Sequence, residues 1–395
     1  MSWDGQRPPL GFRAFMVRVR WTQIDWMVML VALVLLAVGM VFQSAMAEVD
    51  AAYLRESPTF ASHVKKVVVA VPILLAGLVV RPRWLRRNSY LVYALSIVLL
   101  MLVPLIGDVR NNAKRWIELP FGFDLQPSEL AKIALVLALA RAFYRNRLQT
   151  VEDWLGAALL ALLPMALVAK QPDLGTALSI APITLGMAYL AGAKGKTIAG
   201  LVLSGALALG FAWHFELIED YQKRRVDTWL QAFDSEELIA DRKGASYHTY
   251  LARVAIGNGG WAGQGLGQGI ANQTGHLPER GSDSIFAVIA EEGGLLGATW
   301  LLGLYLLLVA LILRRAGSIR ERFSRLVVGG VALVFGSHVF LHCGVMLGLL
   351  PLTGLTLPLV STGGSSLLAS FGALGLALGL GTHHEPALDS DSFRP

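Results

Sequence analysis

The sequence predicts an all-α, polytopic membrane protein with ten transmembrane helices and a large extracytoplasmic loop between the seventh and eighth. Three observations carry that expectation. The chain is 54% hydrophobic and only 16% charged over 395 residues, where soluble domains carry roughly 25% charged residues. Mean hydropathy is +0.55. The apolar residues also gather in runs near the ~20 residues that a helix needs to cross a bilayer.

Ten apolar runs follow one another, at about 25–43, 65–80, 89–106, 128–145, 154–170, 174–192, 197–215, 284–313, 324–348 and 360–381. The second opens just after Lys65 and Lys66, whose long stems can snorkel to the interface. The eighth is long enough to tilt. This arrangement gives an N-terminal segment 1–24, a membrane domain 25–383 that includes the outer loop 216–283, and a disordered tail 384–395. An even number of spans places both termini on one side. Arginine-rich turns mark that side as cytoplasmic: Arg81, Arg83, Arg86 and Arg87, then Arg141, Arg145 and Arg147, then Arg314, Arg315, Arg320, Arg322 and Arg325. Both termini are therefore expected on the cytoplasmic side. Ala45-Met46-Ala47 imitates a signal-peptide cleavage site, but the apolar run before it is too long for one.

The net charge of +6 belongs to these turns and excludes no membrane role. No nucleic-acid motif accompanies it, so a nucleic-acid partner is not expected. The single cysteine, Cys343, forms no intrachain disulfide. His338 and His342 share a helix face but lack an evident third ligand, so no metal site is expected of them.

Three polar constellations interrupt the apolar pattern on the outer side. Asp283 stands where the outer loop enters the eighth span. It reads either as a helix N-cap or as a general base facing a polar hollow; capping would stabilise the anion and lower its basicity. In the loop 107–127, Lys114, Arg115 and Trp116 precede Gln126-Pro127-Ser128-Glu129, a helix start. Glu129 and Lys132 are three apart and share a face, as an ion pair or as part of a substrate groove. Lys170 lies with Gln171 and Asp173 in KQPDLGT. Together with Lys114, Arg115 and Arg280 it offers cations for a pyrophosphate. Within 216–283, Tyr247, Leu251, Val254 and Ala255 recur at helical spacing after Ser246, a candidate N-cap; this reads as a short amphipathic helix on the outer membrane surface. The glycine run GNGGWAGQGLGQG lacks the Lys-Ser/Thr of a nucleotide loop and reads as a tight, mobile turn.

With these residues the chain resembles the RodA/FtsW/SpoVE family of peptidoglycan polymerases across roughly 25–383. The resemblance rests on NNAKRWIELPFGFDLQPSELAK (111–132), KQPDLGT (170–176), YQKRRV (221–226), LPERGSDSIFAVIAEEGGLLG (277–297) and GLLPLTGLTLPLVSTGGSS (348–366). It implies polymerisation of lipid II, the lipid-linked disaccharide-pentapeptide, into glycan strands during elongation or division. It makes Asp283 the position of the family's essential aspartate, and Trp116 and Glu129 positions the family also uses. Ser361, within the last motif, joins the candidate substrate-binding residues. The implied partners are lipid II, the polyprenyl-pyrophosphate-linked glycan, membrane lipid, and a class B penicillin-binding transpeptidase packed against the eighth and ninth helices. Two departures stand out: Thr362 precedes the paired glycines where many members have Tyr, and His342-Cys343-Gly344-Val345 stands where many have Asn-Ile-Gly-Met.

The implied reaction needs a base for the acceptor 4-hydroxyl, charge stabilisation for the departing pyrophosphate, and an apolar groove for polyprenyl tails. Asp283 would be the base in an inverting displacement. No cofactor is required by this scheme, although it admits a divalent cation, magnesium or manganese. The rival readings are a lipid II translocase, which predicts internal repeats that the sequence does not display, and a non-catalytic scaffold for the transpeptidase.

Overall fold

The computed structural model describes residues 23–53, 60–110, 113–119, 123–145, 148, 151–216, 220–231, 245–380 and 382. Most of the N-terminal segment 1–24 and the whole of the tail 384–395, including its expected disorder, lie outside the described residues. In chain order the helices are α1 (Trp26–Ala52), α2 (Phe60–Val79), α3 (Pro82–Ile106), α4 (Pro127–Arg145), α5 (Val151–Lys170), α6 (Leu174–Ala191) and α7 (Gly195–His214). After these come α8 (Asp220–Gln231), α9 (Ala245–Asn258), α10 (Ile270–Thr274), α11 (Ile285–Ser318), α12 (Arg322–Met346) and α13 (Gly364–Leu380). Strands β1 (Asp108–Arg110), β2 (Ala113–Leu119) and β3 (Phe123–Leu125) lie between α3 and α4.

Eight helices are long and apolar enough to cross a membrane: α1, α2, α3, α5, α6, α7, α11 and α12. The apolar runs at 128–145 and 360–381 fall on two helices outside this set: α4, whose hydropathy is diluted by Glu129, Lys132, Arg141 and Arg145, and α13, which is 17 residues long. The chain is a multi-pass helical membrane protein. Several boundaries differ from the hydropathy pattern. α2 begins at Phe60, so Lys65 and Lys66 lie within it, and Lys66 Nζ donates to the Thr362 carbonyl at 2.9 Å instead of reaching an interface.

The ends follow from local chemistry. Asp25 accepts from Val28 N at the start of α1, and Asp173 accepts from Thr176 N at the start of α6. Glu321 accepts from Phe323 N and Ser324 N ahead of α12. Each satisfies amides that have no partner inside the first turn. α12 is central, with 78% of its apolar window buried, and packs on α11, α6, α4 and α13. α2 and α13 approach closely because Gly77, Gly375 and Gly379 carry no side chain: a Cβ on any of them would fall within 2.9 Å of the opposing backbone. By contrast, α7 buries none of its residues.

The expectation of a purely helical chain needs one correction. Residues 108–125 form a three-stranded antiparallel sheet, β1-β2-β3, pairing Asp108 with Trp116 and Ile117 with Leu125. The sequence held the signal: extended KRWIEL stands between Asn111-Asn112 and Pro120-Phe121-Gly122, which are turn compositions.

α11 is interrupted at Gly294, whose φ of 66° and ψ of −167° only glycine adopts readily. The glycine run packs into this break. Gln264 N and Gly265 N donate to the Glu291 and Glu292 carbonyls, while Leu295 N and Leu296 N donate to the Gly260 and Trp261 carbonyls. A Cβ on Gly294 would lie 2.3 Å from Gly263 N. The run is thus a pinned splice into a broken helix rather than the mobile turn expected from composition.

α9 confirms a helix at the expected place, with a different buried face. Thr249, Ala252 and Ala255 are buried and the helix packs on α11, whereas Tyr250 and Val254 are each 38% exposed. The helix already includes Ala245, so Ser246 falls in its first turn rather than at the cap.

Candidate active site

The loop 277–284 leads into α11 and carries Asp283. Residue Ser284, not Asp283, occupies the N-cap position of α11. Among the described residues the Asp283 carboxylate accepts no hydrogen bond, so it caps nothing. It is half-buried, and Gly354 lies against it: a Cβ there would be 3.3 Å from Asp283 Oδ2. Burial pushes its pKa up to about 7, with the negative charges of Glu279 and Asp173 adding to the rise and Arg115 opposing it. Of the two roles left open by the sequence, the cap is excluded by geometry, and the carboxyl titrates in the range useful to a base.

Three segments hold the Asp283 loop from outside. Ser361 Oγ donates to the Ser282 carbonyl at 2.7 Å and accepts from Leu357 N at 2.8 Å. The Gly281 carbonyl accepts from Thr362 N, Thr362 Oγ1 and Gln43 Nε2. From α9, His248 Nε2 lies 2.8 Å from Ser284 Oγ. Since Ser284 Oγ donates to the Pro278 carbonyl at 2.9 Å, His248 must be the donor in that contact. Burial lowers the His248 pKa, which keeps the ring neutral. The hydroxyl of Ser361, a candidate substrate-binding residue, is thus engaged with the Asp283 loop and the Leu357 amide. His248 and Gln43 were not foreseen. Neither lies in a motif, and their partners are 36 and 238 residues away in the chain.

The sheet brings the second constellation to the same place. Arg115 Nε donates to the Gln171 carbonyl at 3.2 Å and Nη2 to the Pro172 carbonyl, while its charge acts on Asp283. Trp116 lies beside Arg115, its ring centroid 6.0 Å from the guanidinium carbon. Gln126 Nε2 donates to Asp173 Oδ2 at 2.9 Å, which joins the start of α4 to the start of α6. Thr353, next to Gly354, has a buried hydroxyl with no partner among the described residues.

The remaining candidates divide. Lys170 is exposed at the end of α5 and has no partner among the described residues. Lys114 Nζ donates to the Pro104 carbonyl at 3.1 Å. Arg280 pairs with Asp50 and donates to the Asn272 carbonyl and Oδ1; it lines an open cavity of about 300 Å³ with Gln43, Ser282 and Thr362. Glu129 and Lys132 form a buried ion pair at 2.7 Å, and Lys132 also contacts His338 Nε2. That pair is the ion-pair reading of the sequence; both side chains are inside the bundle and not in a groove open to substrate. His342 Nδ1 donates to the Leu355 carbonyl at 2.6 Å, so the two histidines serve different partners. Among the described residues no three His, Cys, Asp or Glu side chains gather to hold a metal ion.

These features define a polytopic membrane protein with a half-buried carboxyl, Asp283, just before α11, near a small sheet and the segment before α13. The chain belongs to the FtsW/RodA/SpoVE cell cycle protein family, whose match spans residues 25–385. It is 36% identical over 321 residues to the peptidoglycan glycosyltransferase MrdB of Escherichia coli strain K12, covering 81% of this chain and 85% of that one. A probable peptidoglycan glycosyltransferase FtsW of Geobacter metallireducens is 36% identical over 292 residues, 73% of this chain and 75% of its own. Among solved structures, one described as "Structural coordination of polymerization and crosslinking by a peptidoglycan synthase complex" matches with TM-score 0.77 and 30% identity, covering 91% of this chain and 98% of its own. The rod shape determining protein RodA of Thermus thermophilus matches with TM-score 0.67 and 28% identity, over 92% and 99% of the two chains.

Proposed function

We propose that this peptidoglycan glycosyltransferase transfers the growing lipid-linked glycan onto lipid II, with Asp283 as the base. The observation that carries the reading is the half-buried Asp283 carboxyl, which caps no helix; burial pushes its pKa up to about 7, and the positive charge of Arg115 opposes that rise. Asp283 takes the proton from the acceptor 4-hydroxyl as the new glycosidic bond forms. The bond from the donor sugar to its polyprenyl pyrophosphate breaks on the opposite face, giving inversion. Arg115, Lys114 and the exposed Lys170 supply positive charge for the leaving pyrophosphate. Arg280, already paired with Asp50, holds the loop that delivers Asp283. A magnesium or manganese ion would bind with the substrate, whose phosphate oxygens would supply ligands to it.

The reading places Asp283 on the outer face of the inner membrane, both termini inside the cell, and a class B penicillin-binding transpeptidase at the exposed faces of α11 and α12. Support for such a partner comes from the synthase complex that this fold matches. The decisive experiment is glycan synthesis from purified lipid II by wild type and Asp283→Asn, each with and without the transpeptidase. Chains from wild type and none from the variant are expected. Wild-type-like chain formation by Asp283→Asn ends the assignment.

A further inference from the structure

At the far end of α4 from the site, a second polar cavity of about 390 Å³ is lined by Arg83, Arg86, Arg87, Arg141, Tyr144 and Arg145. α4 has 19 residues and rises roughly 28 Å at 1.5 Å per residue, so this cavity opens at the opposite membrane face from Asp283. Positive charge at such a face is ordinary; its convergence on one cavity is not explained by orientation alone.

Other arginines in this region are consumed by the fold. Arg315 donates to the Ala377 and Leu378 carbonyls, and Arg322 to the Phe143 and Ala191 carbonyls. Three of the cavity arginines differ. Arg86 pairs with Glu321 at 3.4 Å and stacks over Tyr144 at 4.7 Å. Arg87, Arg141 and Arg145 have no acidic or carbonyl partner among the described residues. Three guanidiniums on two helices therefore face a shared space with their donors unspent. Like charges held together in this way are stabilised by an anion that accepts from several at once, and phosphate oxygens fit guanidinium forks.

The surroundings identify the source of the phosphate. Leu91 and Leu95 follow Arg87 at one and two helical turns and are 58% and 56% exposed; Trp84 beside them is 55% exposed. This is an apolar track that starts at the arginines and runs into the membrane-spanning part of α3, with an aromatic ring at the interface. A soluble phosphate has no use for such a track, whereas an acyl chain does. We propose that this cavity binds the phosphate headgroup of an anionic phospholipid, whose acyl chain lies along Trp84, Leu91 and Leu95 and which ties α3 to α4. Basic pockets between membrane helices on the cytoplasmic side commonly recognise such headgroups.

The test is native mass spectrometry of the full chain released from membranes of equal anionic and zwitterionic phospholipid, with a parallel thermal melt in inorganic pyrophosphate. Wild type should retain the anionic lipid about tenfold over the zwitterionic one, equivalent to about 1.4 kcal/mol. The triple variant Arg87→Gln/Arg141→Gln/Arg145→Gln should lose that preference, and pyrophosphate should not raise the melting temperature. Arg87→Gln alone, at an exposed position, should reduce the preference and serves if the triple variant does not fold. Equal retention of both lipids by wild type, unchanged preference in the folded variants, or stabilisation by pyrophosphate without lipid preference overturns the proposal.

Discussion

His248 donates from Nε2 to Ser284 Oγ at 2.8 Å, and Ser284 is the residue immediately after Asp283. The imidazole thus fixes the backbone that aims the carboxylate, from a helix that has no other part in the reaction. His248→Ala should lower kcat about tenfold, the effect of one lost buried hydrogen bond of about 1.4 kcal/mol, with little change in KM. His248→Gln, which can still donate, should recover most of that loss. A bulk structural role would instead depress KM, kcat and melting temperature together, and would not distinguish Gln from Ala. Steady-state polymerisation of lipid II with both variants checks this.

Asp283 sets the pH dependence. A base with pKa about 7 must be ionised, so kcat/KM should rise tenfold per pH unit below about 7 and level off above it. The stability trend has the opposite sense. The folded-state value is raised from the ordinary 3.8, so folding favours the protonated form. Its contribution is fully present below about 3.8 and is lost as pH rises through about 7. Asp283→Asn, inactive, should therefore melt above wild type at alkaline pH, with the gap closing as the medium is acidified. Melting in detergent across pH measures it; a variant less stable than wild type at every pH contradicts the burial cause.

The Glu129–Lys132 pair is buried, at 5% and 1% exposure. Lys132→Met strands a carboxylate inside the bundle and should cost about 3–5 kcal/mol. Glu129→Gln in the same chain removes the stranded charge and should return much of that loss. A double-mutant cycle by thermal or denaturant unfolding reads the coupling. Equal destabilisation in the single and double variants would mean that Lys132 contributes by shape, not charge.

Gly294→Ala places a side chain where φ is 66° and the opposing backbone lies 2.3 Å away. Strain alone costs about 1–3 kcal/mol, and the clash adds to it by displacing the glycine run. The expected result is a lower melting temperature together with loss of polymerisation, since the splice carries the start of α11. Proteolysis of the outer loop should accelerate in parallel. An alanine variant with normal melting and normal turnover contradicts the splice.

Much of the fold was legible because a bilayer writes its requirement directly into hydropathy: eight helices meet it by length and composition, and α4 and α13 are helices where apolar runs stand in the sequence. Asp283 stood out as a candidate for a similar reason, as a carboxyl at the border of an apolar run within a dense motif. What the sequence hid was partnership across distance. Ser361 carries the same hydroxyl whether it meets a substrate or the Ser282 carbonyl. Arg280 reads as a free cation until Asp50, 230 residues away, is placed beside it. The small sheet was overlooked because its short strands alternate weakly amid strong helical signals. The buried face of α9 was only partly placed: Ala255 is on it, but Ala252, being small, weighs little in any hydropathy pattern and took the place expected of Val254.

The break at Gly294 divides α11 into a short outer stub and a long membrane shaft. An unbroken rod would pass every tilt of its lower half straight to the residues at its tip. Here the glycine run bridges the joint: two of its amides bond to the Glu291 and Glu292 carbonyls of the stub, and two of its carbonyls accept from Leu295 N and Leu296 N of the shaft. The bend at Gly294 is consequently a locked elbow, and Asp283 moves with both arms of it as one piece.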